Sequence, residues 1–329
     1  MTLDTVPLGR TGLSVSELAL GTWRFGRRTD DGELEIGKGR AHELLDAYTE
    51  AGGTFVDTAD MYGDGRAESY IGEWLDGRDR ESVVIASKCY WPTREGANGH
   101  GLNRKHLRRS LTEILDRLGT DYLDLLYVHR WDDITPVETF MRTLDEFVGE
   151  GRVLHLGAST FEPNAWKVTL ANEVAERRGY EPFRVVQPRF NAINREIEGP
   201  YLEMCNHYEL GVVPWSPLAG GFLTGKYERD SPPPSGSRGD RDDQFVDSYL
   251  TESNFDAIET IRAVADDVGA TPAQVSLAWL LQHARITAPI VGARTVDQLR
   301  ANVAASAVQL TDDQFERIAA VGRSAVDPA

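Results

Sequence analysis

The sequence has 329 residues, 41% of them hydrophobic and 26% charged, and no run approaches the roughly 18 uninterrupted apolar residues of a membrane helix, so no membrane span is expected. Its net charge of -17 argues against a nucleic-acid partner, because phosphate contacts need a concentrated basic face. Two cysteines, Cys89 and Cys205, lie outside any C-x-x-C pattern; they exclude a disulfide scaffold and read as structural thiols.

From the N-terminus, MTLDTVPLGRTGLS lacks the basic stretch and apolar core of a secretory signal, and a cytoplasmic protein is expected. Residues 1–16 carry two short alternating runs around Arg10, Thr11 and Gly12, the pattern of a hairpin that could plug the floor of a barrel. Apolar, β-branched runs at 17–22, 54–59, 83–88, 124–129, 154–159, 184–190, 211–216 and 288–292 then alternate with amphipathic helical stretches. Several runs are almost continuously hydrophobic, as expected of strands buried on both faces. The helical stretches include Arg40 to Ala51, Arg104 to Leu118, Pro136 to Glu150 and Phe255 to Val268, with Gly52, Gly119, Gly151 and Gly269 as stops. Residues 271–283 predict an additional helix before the last strand, with Pro272 near its start. Residues 227–250, containing SPPPSGSRGDRDDQ, predict a long flexible loop of a kind that is usually functional. Eight βα units without an internal linker predict one α/β domain over 1–329, a (β/α)8 TIM barrel with an N-terminal hairpin and extra helices.

In such a barrel the chemistry sits where strands end. Asp57 falls late in the second strand, Tyr62 in the loop after it, Lys88 at the end of the third strand and His129 at the end of the fourth. A carboxylate, a phenol, an ammonium and an imidazole on three neighbouring strands are what proton transfer to a carbonyl oxygen requires. The Lys88 cation would lower the Tyr62 pKa, Asp57 would compensate the buried lysine, and His129 would hydrogen-bond and orient the carbonyl. Singly, these residues also read as an ion pair, a loop aromatic and a core histidine. Their joint placement on adjacent strands is what points to a site.

The spaced motifs G-T-W at 21–23, DTADMYGDGRAE at 57–68, the Lys88 and His129 strand ends, W-S-P-L-A at 215–219 and VGARTVDQL at 291–299 together resemble the aldo-keto reductases. With G-L-N-R-K-H at 101–106 and G-K-Y at 225–227, the chain looks closest to the bacterial and archaeal branch that includes the β subunits of voltage-gated potassium channels. The resemblance implies that Asp57, Tyr62, Lys88 and His129 are the catalytic tetrad and that the hydride comes from NADPH, with NADH possible. It also implies a cofactor cleft: Thr22, Trp23 and Thr160 beside the cofactor, Ser159 and Gln187 at the carboxamide, and Trp215 stacked on the nicotinamide. Ser216, Pro217, Leu218, Gly220, Lys226 and Arg238 would line the pyrophosphate and adenosine side, and Gly292, Arg294, Gln298 and Asn302 the adenosine phosphate. Arg294 would pair with a 2′-phosphate and favour NADP over NAD. Thr160 and Ala301 depart from the Asn or Arg and the Glu common at those positions.

Trp23, Tyr62, Trp91 and His129 are expected to line the substrate pocket, under the loop at 91–102, for a small-molecule aldehyde or ketone. No G-x-G-x-x-G follows a strand, which excludes a Rossmann reading, and the seven histidines form no H-x-H or H-x-x-x-H set, so no metal is expected. The competing reading is a nicotinamide-binding partner or redox sensor like a channel β subunit; His129 tilts the choice toward a working reductase. Oligomeric state and natural substrate have no signature in the sequence.

Overall fold

The structure, a computed structural model, describes residues 2–29 and 32–321. It begins with an antiparallel hairpin of β1 (Thr5–Pro7) and β2 (Ser14–Ser16), as the alternating runs predict. Eight parallel strands come next: β3 (Ala19–Gly21), β4 (Phe55–Asp57), β5 (Val84–Cys89), β6 (Leu123–Val128), β7 (Val153–Ser159), β8 (Phe183–Gln187), β9 (Gly211–Val212) and β10 (Ile290–Val291). They form one sheet in the order β10-β3-β4-β5-β6-β7-β8-β9. Its two edges meet: Thr287 N donates to Val212 O at 2.8 Å and Ile290 N to Pro214 O at 2.9 Å, so the sheet curls round on itself.

Helices α1 (Lys38–Glu50), α2 (Arg66–Leu75), α3 (Arg104–Leu118), α4 (Val137–Gly149), α5 (Ala165–Arg178) and α6 (Pro200–His207) connect successive strands from β3 to β9. Between β9 and β10 lie α7 (Asp243–Tyr249), α8 (Glu252–Val268) and α9 (Pro272–Leu281), and α10 (Val296–Val303) and α11 (Asp312–Val321) complete the described chain. No helix among the described residues is long and apolar enough to cross a membrane.

Successive strand residues point to opposite faces, which explains the two separate cores. Leu20, Val56, Ile85, Leu126 and Val186 pack outward in the cluster shared with the helices, whereas Ala19, Phe55, Ala86, Leu125, Tyr127 and Val185 fill the sheet's interior. Leu8 and Val15 of the hairpin join the interior cluster and are fully buried, so the hairpin does close one end of it. The fit is close at Gly9, whose φ of +54° already favours glycine: a Cβ there would lie 2.3 Å from Gly211 N.

Where the strands end differs from the sequence expectation for a local reason. The runs at 184–190 and 211–216 yield only Phe183–Gln187 and Gly211–Val212, because Pro188 and Pro214 have no N–H to give the ladder. Their carbonyls still accept, Pro188 O from Trp215 N at 3.0 Å and Pro214 O from Ile290 N, so the chain stays close beyond the regular strands. The expectation of an unstructured 227–250 segment is corrected: Asp243–Tyr249 is helical, started by the Asp242 side chain accepting from Phe245 N. Phe245 anchors this helix by packing on Tyr227, with ring centroids 5.4 Å apart, and within the helix it packs against Tyr249 at 5.0 Å.

Candidate active site

The in-register pairing of Gly21 with Asp57, and of Lys88 with Tyr127, brings the ends of β3 to β6 side by side, and four polar groups meet there. Lys88 is fully buried and spends all three ammonium protons: on Asp57 Oδ1 at 2.5 Å, on Thr58 O at 2.8 Å and on Tyr62 Oη at 3.1 Å. Asp57 Oδ2 accepts from Gln187 Nε2 at 2.7 Å, so this carboxylate is gripped from two strands. Tyr62 and His129 sit ring edge to ring face with centroids 6.0 Å apart, and His129 N is held by Cys89 O at 3.1 Å. The tetrad named from the sequence is thus a contiguous cluster, with Gln187 and the Thr58 carbonyl as members of its support. The Thr58 carbonyl leaves no side-chain signal by which a sequence would reveal it.

The electrostatics of this cluster follow from burial and from the central ammonium. Burial pushes the Tyr62 phenol above its ordinary value of about 10; Lys88 pulls it down, as anticipated, but not enough to win, and Asp57 pushes it further up. The expectation that Lys88 lowers the phenol below its usual range is therefore corrected: Tyr62 holds its proton throughout the neutral range. Burial opposes the charge on Lys88, but Asp57 and Tyr62 together outweigh it and keep the ammonium charged. Burial and then the Lys88 ammonium press His129 well below the ordinary imidazole range, so the ring is neutral. Its buried Nδ1 has no hydrogen-bond partner among the described residues.

An aromatic rim surrounds these groups. Trp23 meets Tyr62 edge to face at 5.0 Å, and Trp91 meets His129 at 6.3 Å, so the two tryptophans named for the substrate pocket both touch this cluster. The 91–102 loop is fastened by Asp132, whose carboxylate accepts from Leu102 N at 2.8 Å, from Thr135 Oγ1 at 2.7 Å and from Ile134 N at 2.9 Å. Thr22 is buried, and both its N and Oγ1 donate to Asp57 O at 3.0 Å. Ser159 Oγ faces Gln187 Oε1 at 3.4 Å and Thr160 Oγ1 at 3.3 Å, with Thr160 strained to a φ of +55°.

The remaining sequence-predicted residues gather in two loops at the same end of the sheet. After β9, Ser216 adopts a φ of +57°, its Oγ accepting from Gly220 N at 3.1 Å, and Trp215 keeps a buried Nε1 with no partner among the described residues. Pro217 and Leu218 continue this turn, Leu218 O accepting from Gly221 N at 2.8 Å. Gly220 and Gly221 both have positive φ, and a Cβ on them would meet Phe245 at 2.8 Å and Lys226 Nζ at 3.2 Å. The turn is therefore a tight backbone cradle with Lys226 beside it, and Arg238 flanks it through its ion pair with Asp242 at 3.2 Å.

After β10, Asn302 Nδ2 donates to Gly292 O at 3.4 Å, and Arg294 N donates to Gln298 Oε1 at 2.9 Å. Arg294 Nη1 reaches Gly236 O at 3.3 Å and so ties the 227–250 segment to this loop. Burial and then the repulsion of Arg24 lower the Arg294 pKa, with Glu35 opposing and Arg241 adding to the shift; Arg24 is itself paired with Glu35 at 2.6 Å. Arg24 and Arg241 were not legible as members of this group, because they come from the loop after β3 and from the 227–250 segment. Among the described residues no group of three His, Cys, Asp or Glu side chains could hold a metal ion.

Similarity to known proteins agrees in extent with this geometry. The model of the aldo/keto reductase family matches residues 17–323. The chain is 34% identical to the norsolorinic acid reductase of Emericella nidulans, over 93% of this chain and 78% of that protein. It is 34% identical to a probable voltage-gated potassium channel subunit beta of Oryza sativa subsp. japonica, over 96% of each. It is 33% identical to the aryl-alcohol dehydrogenase [NADP(+)] of Phanerodontia chrysosporium, over 93% of this chain and 82% of that protein. The chain belongs to the aldo/keto reductase family.

Proposed function

We propose that the protein is an NADP(H)-dependent oxidoreductase that reduces an aldehyde or ketone to an alcohol, on a single (β/α)8 barrel whose closure is made by the β9 and β10 edge contacts. The observation that carries this reading is Lys88 joining Asp57 and Tyr62 beside a neutral His129. The dihydronicotinamide, when bound, supplies the hydride to the carbonyl carbon. Tyr62 gives its proton to the carbonyl oxygen and is left as a phenolate that the Lys88 ammonium, 3.1 Å away, stabilises. Asp57 keeps Lys88 charged in a buried place, and Gln187 keeps Asp57 in position. Neutral His129 donates a single hydrogen bond to the same oxygen and orients the carbonyl.

The residues fit a phosphorylated dinucleotide. The Ser216 to Gly221 cradle with Lys226 suits a pyrophosphate, Ser159 and Gln187 suit the carboxamide, and the Trp215 ring just beyond β9 suits a stacked nicotinamide. Arg294 feels the charges of Arg24, which Glu35 compensates, and of Arg241, and a dianion beside it adds the missing counter-charge, which favours the 2′-phosphate of NADP over the hydroxyls of NAD. A cofactor-binding partner of a channel is the second reading, favoured by the rice relative; the neutral imidazole next to Tyr62 favours turnover instead.

The test is oxidation of NADPH and of NADH with a panel of aldehydes and ketones, in the parent and in Tyr62→Phe. Turnover falls by about 10²- to 10⁴-fold in Tyr62→Phe, the size of a lost general acid, while NADPH still quenches tryptophan fluorescence. Because Tyr62 keeps its proton, reduction by the parent stays level from about pH 7 to about pH 9. Equal rates in parent and variant would remove Tyr62 from its role, and NADPH binding without reduction of any carbonyl would support the partner reading.

A further inference from the structure

The mouth of this site is an arc of rings with a cation at each end. In spatial order it runs Arg27, Trp23, Tyr62, His129, Trp91, Arg130. The Arg27 guanidinium carbon lies 4.9 Å from the Trp23 ring and that of Arg130 5.6 Å from the Trp91 ring. Both tryptophans touch the proposed proton-transfer groups edge to face. Trp23 is 42% exposed, an unusual state for so large an apolar ring, and its open surface borders Tyr62.

Among the described residues the two guanidiniums are also uncommitted. Most arginines of this acidic protein are bound to a carboxylate, yet neither Arg27 nor Arg130 has a side-chain hydrogen bond or an ion pair among the described residues. Of the two acids that follow Arg130, Asp132 is occupied with Leu102 N, Ile134 N and Thr135 Oγ1, and Asp133 forms no ion pair with Arg130. In a molecule of net charge -17, an approaching anion is repelled by the whole and is held only where free cations touch it. Stacked on an indole, a guanidinium keeps its edge N–H groups available for a carboxylate.

We propose that the site selects aromatic carbonyl compounds that carry an anionic substituent: the ring lies among Trp23, Trp91 and Tyr62, and the anion pairs with Arg27 or Arg130. The selection rests on the reductase reading above and deepens it. The bonds changed are those already described, the carbonyl carbon gaining hydride and its oxygen the Tyr62 proton, while the anionic group stays unchanged and serves as a handle.

The experiment compares kcat/KM for 3- and 4-carboxybenzaldehyde with those for their methyl esters, using NADPH. The parent prefers the better carboxylate over its ester by about ten-fold, and Arg27→Gln with Arg130→Gln brings the ratio to about one. Charge reversal with Arg27→Glu and Arg130→Glu turns the preference toward 4-(trimethylammonio)benzaldehyde. A measurement on the parent alone guards against a misfolded variant: 4-(hydroxymethyl)benzoate inhibits at about ten-fold lower concentration than its methyl ester. A parent ratio of one or less, equal inhibition by acid and ester, or a ratio that survives both glutamines overturns the proposal while leaving the reductase reading standing. Failure to reduce any carbonyl with either nucleotide overturns both.

Discussion

Lys88 shows how much of this site is a question of burial. Its ammonium has no contact with solvent, and its partner Asp57 is almost as deeply enclosed. Removing one member of such a pair strands the other: in Lys88→Met, Asp57 keeps only the Gln187 amide as a donor, and the cost is about 3–5 kcal/mol of stability. Replacing both, with Asp57→Leu and Lys88→Met, removes the uncompensated charge and recovers most of that loss. Urea unfolding of the parent, the two single variants and the double variant at neutral pH measures the coupling. If Lys88→Met cost less than about 1 kcal/mol, Asp57 would have to be protonated in the variant or reached by water, and the tight ion pair would not be the keystone it is taken to be. Residue identity at these positions is readable from a sequence, since a charged residue ending an apolar strand is conspicuous. The pKa of Tyr62 is not, because the burial that lifts it is made by Trp23 and His129 arriving from two other strand ends, and the Lys88 ammonium that opposes the lift comes from a third.

At the scale of elements, what was legible depended on local chemistry, and what was missed depended on distant contacts. The extra helix α9 announces itself through Pro272 near its start, and in the structure Thr271 and Gln274 add a full capping box. Helix α7 does not, since its flanks are rich in Pro, Gly, Ser and Asp and its seven residues are docked by Phe245 against Tyr227, outside the helix. So short a helix is unstable alone, and its docking is a local equilibrium that one side chain can shift. Phe245→Ala therefore exposes the segment around residues 228–250 without unfolding the sheet. Limited proteolysis is expected to cut this variant within that segment at least about ten-fold faster than the parent, while the global unfolding midpoint moves little. In the parent, NADPH slows the cut, because the segment is tied to Arg294 through Gly236 and flanks the cradle through Arg238. Cleavage elsewhere in the chain, or none in either protein, would mean that α7 is held by something other than its aromatic anchor.

The whole molecule carries its acidity in a particular way. Only five of its 35 basic residues are lysines, and the arginines are spread over surface networks such as Arg229 with Glu252, Asp256 and Glu259, or Arg104 and Arg108 with Glu146. Pairs this exposed are worth little each, at most about 1 kcal/mol. The 52 carboxylates exceed the cations that could meet them, so the remainder repel one another over the surface. Salt acts on both: it weakens the pairs and screens the repulsion, and the sign of its effect tells which is larger. Raising KCl from about 0.01 M to about 1 M shortens the screening length from about 30 Å to about 3 Å, which removes the long-range repulsion while contacts near 3 Å survive in part. The expected result is a melting temperature that rises by about 2 °C or more across that range, with activity increasing alongside it. A melting temperature that falls would assign the surface networks the larger share, and an activity optimum near zero salt would show that the surplus of carboxylates does not limit function.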